Sequence, residues 1–402
     1  MIKKICINGI RVFIILLLSA TFFFVNSDRV KASGKDELKK WTVMVFINAD
    51  NNLDRYGIYD IIEMEKAGSS ADVNIITQID RCDLPARRYY VTKANDGCPV
   101  DDWKLSSKIV EELGEVDMGD YKELIKFAEW GVKNYPAEKY FLIVWNHGNG
   151  WVKSEISPAE RGISFDFESG NNISISQLAV ALAEINKITG KKIDVFGMDA
   201  CLMQMMEVLY EIKDYAGYVV ASEETVPGNG WPYDLILKPL IAEPYMNAEN
   251  LSRLVCGAYE SYYLYKGVAA LSAVDCSAVG ELSLSLDELS NILIFEMEGQ
   301  ASAVRMALNS VQYFDYKEHI DLGHFIEILY NKTTSDKVKN VIEKVRYHYS
   351  KAVIKKVFTA ESLKNATGIA IYFPRFVFSQ QYSYLKFSEL SWDEMVNTLH
   401  QN

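Results

Sequence analysis

"DVFGMDACLM", residues 194–203, runs through the β-formers Val195 and Phe196 and stops at an acid, Asp199. Two positions later stands Cys201, followed by a methionine-rich stretch of helical character, "LMQMMEVLYEIKDY" at 202–215. A short apolar run without alternation is what a strand buried on both faces looks like. With a helix straight after it, the segment reads as one strand-to-helix step of an α/β sheet, and the step carries a thiol and a carboxylate.

The same step recurs on either side. "WTVMVFINA" (41–49) precedes "DNNLD" and a helical pattern that Gly68 stops. "VNIITQID" (73–80) reads as a second strand, and the alternating "RRYYVTK" (87–93) as an edge or hairpin strand. A helix is predicted over 119–135, with Asp120 as N-cap and Pro136 as stop, and then a buried strand, "KYFLIVWN" (139–146). Next come a helix over 174–190 and strands at 192–198 and 217–223. This order predicts an α/β fold with a mostly parallel central sheet and helices on both faces. After about Trp231 long helices take over, near 247–265, 277–299 and 318–330, with two isolated strand candidates, "GVAALSAVD" and "TGIAIYFP". This helix-rich C-terminal part is expected to pack on the same sheet, giving a catalytic region over 33–240 and a C-terminal part over 241–402.

Residues 1–32 stand apart. A basic start, an apolar core at Val12–Val25 too short for a comfortable membrane span, and small residues up to Ala32 read as a secretory signal peptide. The expectation is a secreted protein with no stable membrane span after its removal. The whole chain has 42 basic and 54 acidic side chains, and the first 32 residues take away mostly basic ones. A chain this acidic is a poor nucleic-acid binder and a natural host for cationic ligands. No glycine-rich phosphate loop follows the first strand, which argues against a nucleotide enzyme. Loss of Cys6 leaves an odd number of cysteines, so at least one thiol is unpaired within the chain. Cys82 and Cys98 share a polar stretch and are candidates to pair, while Cys256 and Cys276 lie in apolar surroundings.

Ligands of parallel α/β sheets bind beyond the carboxyl ends of the strands. Those ends carry Asp50-Asn51-Asn52, His147-Gly148-Asn149-Gly150, Asp199-Ala200-Cys201, and Glu223 with the loop "PGNGW" that contains Asn229. Cys201 at the first turn of a helix would have its thiolate stabilised by the helix dipole; the plainer reading is a small residue packed at a junction. His147 shifts the balance towards chemistry. A thiol nucleophile and an imidazole at one sheet edge supply both attack on a carbonyl and a proton for the leaving amine. The amides of Gly148 and Cys201 are candidates for the oxyanion. Asp199 and Glu223 read either as caps and loop charges or as the lining of a pocket for a cationic side chain. No set of metal ligands is singled out.

At these residues the sequence resembles the clostripain family of cysteine peptidases, which share the caspase-like fold. The matching pieces are "WTVMVFINADNNLD", "YFLIVWNHGNGW", "VFGMDACLM", "ASEETVPGNGWPY" and "TGIAIYFP", spanning about 41–374. The interval from His147 to Cys201 is 54 residues, near the roughly 50 of caspases, although Asp199 stands where the caspase Gln-Ala-Cys motif has Gln. The resemblance implies a His147–Cys201 dyad that needs no cofactor for its chemistry, and peptide or protein substrates cut after Arg or Lys, with Asp199 lining the pocket. It also implies a zymogen that cuts itself between the His and Cys segments, and calcium as an activator in some members. Asn229 departs from the family, where an acid is expected in some relatives, which bears on the strength of basic selectivity. The polar stretch 151–173 offers Arg161, followed by Gly162, as the self-cleavage bond, with Lys153 second. The competing reading is a catalytically silent module that keeps the fold.

Overall fold

The computed structural model describes residues 38–94, 105–151, 162–376 and 380–402. The proposed signal segment, Cys98, Lys153 and Arg161 lie outside them. Leu38–Asn402 form one unit.

The first strand shows why its sequence does not alternate. In β1 (Lys39–Ala49), Trp41, Val43, Val45 and Ile47 face one core and Met44 and Phe46 the other, all buried. A strand with apolar neighbours on both faces has no polar side to display. Around it lie β2 (Val73–Arg81), β3 (Leu84–Tyr90), β4 (Lys108–Gly114), β5 (Ala137–Trp145), β8 (Ile193–Asp199), β9 (Ala216–Ala221), β10 (Ala270–Asp275) and β12 (Val353–Phe358) in the order β12-β10-β9-β8-β5-β1-β2-β3-β4. The centre, β9-β8-β5-β1-β2, is parallel, and the strands at both edges are antiparallel. Two small pairs stand outside it: the hairpin β6 (Gly162–Asp166) with β7 (Asn171–Ser174), and β11 (His319–Asp321) with β13 (Ala370–Tyr372).

Helices α1 (Asp54–Glu65), α5 (Tyr233–Ala242) and α6 (Ala248–Tyr263) cover one face of the sheet. The other face carries α2 (Tyr121–Asn134), α3 (Ile175–Thr189), α4 (Met206–Ile212), α7 (Val279–Phe295), α8 (Met297–Ser310), α9 (Leu322–Lys332), α10 (Asp336–Ala352) and α11 (Trp392–Gln401). Among the described residues no helix is long and apolar enough to cross a membrane.

Several expectations are corrected. The helix expected from Leu202 begins only at Met206, because Leu202 sits at φ +62° in a tight turn. The single helix expected over 277–299 breaks at Glu296 into α7 and α8. "TGIAIYFP" contributes β13, which pairs with β11 rather than joining the large sheet. His319, expected in a helical stretch, is a fully buried strand residue.

Candidate active site

Chain direction across the sheet reverses between β1 and β5. β1 leads outward to β2, whereas β5 leads the opposite way to β8 and β9. Such a switch point opens a crevice at the carboxyl ends of the strands. In the β5–β8 register Trp145 stands opposite Asp199, and the Asn146 amide donates to the Asp199 carbonyl at 3.3 Å. His147 and Cys201 therefore each stand two residues beyond a paired position, on strands about 4.8 Å apart. The two segments touch: a Cβ on Gly148 would lie 2.5 Å from the Cys201 carbonyl oxygen, so only glycine fits there.

The imidazole of His147 is held from two sides. Its Nε2 lies 2.7 Å from Asn52 Oδ1, and its ring stacks on Phe167 at 6.1 Å and 10°. An amide oxygen only accepts, so with Asn52 in this orientation Nε2 carries the proton and Nδ1 is the free base. Burial pulls the imidazole pKa below its ordinary value.

Cys201 departs from the expected helix-dipole setting. It lies in the turn before α4, half-buried, and burial pushes its thiol up to about 11. The Val226 amide, donating to Sγ at 3.2 Å, counters this in part, while Asp199 and Glu224 add to it. No hydrogen bond joins the imidazole and the thiol among those of the described residues. Near Gly148 the β-bridge to Ile163 uses the amides of Asn149 and Ser164 and not that of Gly148.

Asp199 is buried beside the thiol. Its Oδ2 accepts from the Trp231 amide at 3.0 Å and the Tyr233 hydroxyl at 3.1 Å, while Oδ1 has no hydrogen-bond partner. A second buried acid, Asp60 of α1, accepts from Trp145 Nε1 at 2.5 Å. Gly230 separates the two: a Cβ there would lie 2.9 Å from Asp199 Oδ2 and 3.3 Å from Asp60 Oδ2. Burial raises Asp199 to about 7, with the Trp231 and Tyr233 hydrogen bonds opposing. Burial, then Asp199 and Glu63, raise Asp60 well above the carboxylate range. Two buried carboxyls side by side resist ionising together. The Tyr259 hydroxyl and Trp231 Nε1, also buried, have no hydrogen-bond partner.

The remaining expected residues divide. Asn229 is exposed next to Gly230, its Nδ2 donating to Tyr262 at 3.5 Å. Glu223 is not part of this constellation. Its buried carboxyl accepts from the Gly368 amide at 3.1 Å and shares a hydrogen bond with Asp321, so it ties β9 to the segment before β13. Gly162 opens β6, its amide donating to Asn149 Oδ1 at 2.7 Å. Sequence reasoning missed Asp60 and Phe167 and left Asn52 without a role. Asp60 had a signal: an acid between Ile58, Ile61 and Met64 on the buried face of α1. Phe167 had none, since nothing local brings an exposed hairpin residue to His147.

Comparison with known proteins bears on the family and the fold. A profile described as the clostripain family matches residues 45–399. Clostripain of Hathewaya histolytica is 27% identical over 336 residues, 78% of this chain and 60% of that protein, so the chain spans less than two thirds of that relative's length. Among solved structures, an inactive zymogen C11 protease from Parabacteroides distasonis superposes with a TM-score of 0.67 at 19% identity, covering 89% of this chain and 98% of that one. A secreted C11 cysteine protease from Bacteroides thetaiotaomicron, solved with an irreversible peptide inhibitor, gives 0.66 at 20% identity, over 90% of this chain and 100% of the other. At such identities the superpositions speak for the fold, while the match of the profile across most of the chain speaks for descent: the chain belongs to the clostripain family and has its caspase-like α/β fold.

Proposed function

We propose that the protein is a secreted cysteine endopeptidase that cuts after Arg or Lys. The observation that carries this reading is the placement of His147 and Cys201 at paired ends of β5 and β8, next to the buried acids Asp199 and Asp60. Sγ of Cys201 attacks the substrate carbonyl carbon while its proton passes to Nδ1 of His147. The oxyanion faces the amides of Gly148 and Cys201. His147 then gives the proton to the leaving amine as the C–N bond breaks, and water, activated by His147, hydrolyses the thioester. Asp199, with Asp60 behind it, receives the guanidinium or ammonium group, and Asn229 stands at the rim. Secretion rests on residues 1–32. Self-cleavage after Arg161 is part of the same reading, with Lys153 the second choice. It is supported by Gly162, whose fixed place at the start of β6 anchors one side of the bond near Asn149.

The test is an assay of wild type, Cys201→Ala and His147→Ala on peptides that vary the residue before the cut, with terminal sequencing of the purified chains. Both variants should lose at least about 10³-fold in kcat/KM, since the two residues act as a unit. Near-native turnover of His147→Ala would defeat the dyad. A wild type that is active yet stays a single chain would defeat self-cleavage alone.

A further inference from the structure

Neighbouring strands bring three loops to the crevice: β5 leads to His147, β8 to Cys201 and β9 to the loop over Glu224–Val226. A cavity of about 570 Å³ opens on the β9 side of Cys201, away from His147. Glu224 and Thr225 line it, together with Val268 just ahead of β10 and residues 310–315 after α8. The Val226 amide donates to Sγ of Cys201 at 3.2 Å, so the lining starts one residue from a direct contact of the nucleophile. The Leu202 amide donates to the Glu224 carbonyl at 3.1 Å and ties the same loop to the turn that carries the thiol. Among the described residues the lining holds two acids, Glu224 and Asp315, and no basic side chain. Glu224 is buried; its Oε1 accepts from the Thr225 amide at 2.7 Å and the Thr225 hydroxyl at 3.2 Å, and its carboxyl also accepts from the Asp315 amide. No ion pair among the described residues involves either acid. Helix α8 ends here at Ser310 with no basic residue in its last turn, so the negative end of its dipole adds to the two carboxylates. Both acids also raise the Cys201 thiol, which puts them within electrostatic reach of the reacting centre.

The two faces of the sheet tell which substrate residue meets this cavity. Asp199 is held by Trp231 and Tyr233, which belong to the core under α1, α5 and α6. Val311, Phe314 and Leu363 of the cavity wall belong to the core on the opposite face. His147 hands its proton to the leaving amine, so the acyl half of the substrate runs the other way, over the end of β9. An extended peptide turns successive side chains to opposite sides. With the residue before the cut directed to Asp199, the residue preceding it turns to the cavity. We propose that this cavity receives a second Lys or Arg, so that the peptidase prefers the bond after two consecutive basic residues, with Glu224 and Asp315 as the acids that set this preference. The inference rests on the peptidase reading. Glu160 precedes Arg161 and is a poor guest for an acid-lined cavity, so self-cleavage there relies on tethering, which raises the local concentration of that bond.

The test uses the full wild-type chain and fluorogenic peptides with Arg before the cut and Lys, Arg, norleucine or Glu before that Arg. Lys and Arg should exceed norleucine about tenfold in kcat/KM, and Glu should fall below it. Asp315→Asn, at an exposed position, should lower the Lys-to-norleucine ratio to about threefold, and Asp315→Asn with Glu224→Gln should bring it near one. Asp315→Lys should carry Glu above Lys. The ratio is the readout because a variant that merely loosens the fold lowers all four peptides alike. Equal kcat/KM for the Lys, norleucine and Glu peptides in wild type would overturn the inference and leave the peptidase reading standing. A preference for Lys that all three variants keep would overturn the assignment to this cavity. No cleavage of any peptide would defeat the peptidase reading and this inference with it.

Discussion

Asn52 Oδ1 lies 2.7 Å from Nε2 of His147, which makes a residue of the loop after β1 responsible for the tautomer of an imidazole in the loop after β5. Asn52→Ala removes one orienting hydrogen bond and should lower kcat/KM about tenfold. Asn52→Asp places a negative charge against the ring, which favours the imidazolium and raises its pKa. The acid limb of kcat/KM should therefore move to higher pH than in wild type. A limb that stays in place would mean that another contact sets the ring.

The thiol of Cys201, pushed up to about 11 by burial, and the imidazole, pulled down by burial, are both neutral at pH 7 in the free protein. Proton transfer then belongs to the attack rather than to a standing ion pair. Alkylation of Cys201 by iodoacetamide without substrate should be slow at pH 7 and climb about tenfold per pH unit through about pH 10. A flat, fast rate from pH 6 to 8 would show a preformed thiolate.

Asp199 titrates near 7 and Asp60 well above the usual range, so the pocket holds a proton near neutrality. An arriving guanidinium should displace it, and KM for Arg peptides should fall as pH rises from about 6 to 8. Asp60→Asn should flatten this dependence and cost about tenfold in kcat/KM on Arg peptides, with less effect on norleucine peptides. Equal losses on both would assign Asp60 to packing against Trp145.

Glu207 lies wholly inside the core. Its Oε1 accepts from the Tyr372 amide at 2.9 Å and the Tyr382 hydroxyl at 3.0 Å, and Oε2 has no hydrogen-bond partner. Burial raises its pKa from 4.5 to about 7. The fold thus prefers the protonated form; that stability is complete below about pH 4.5 and is lost as pH rises through 7. Glu207→Gln keeps the acceptor and cannot ionise. Its Tm should equal that of wild type near pH 4.5 and exceed it at pH 8.5, by a margin on the order of 2–4 kcal/mol in unfolding free energy. Parallel pH curves for the two proteins would disprove the charge penalty.

The central strands were legible because β1, β5 and β8 are apolar on both faces, a pattern that needs no partner to be recognised. His147 and Cys201 followed, since their place is fixed by where those runs end. The turn at Leu202 was not legible: nothing in a leucine announces φ +62°, and the helical propensity of "LMQMMEVL" pointed to a helix four residues too early. Glu223 failed for a related reason. Its position at a strand end was right, but its side chain turns to Asp321 and Gly368, which lie about a hundred residues or more away in sequence. Acids that meet only in space, as Asp60 meets Asp199, leave at most a hint in the local pattern.

The seam between β5 and β8, paired from Phe141–Val195 to Trp145–Asp199, joins strands that lie on opposite sides of the 152–161 stretch in sequence. Severing the chain there would not divide the molecule into two bodies. The piece carrying β1, β2 and β5 would bare β5 from Phe141 to Trp145, and the piece carrying β8 and β9 would bare β8 from Val195 to Asp199, each an apolar edge with unmet backbone groups. Neither is a finished fold, and each is the template for the other. Supplied as two separate polypeptides, they would recombine by a second-order reaction, at a rate set by concentration, which makes this chain a natural starting point for a split reporter of proximity.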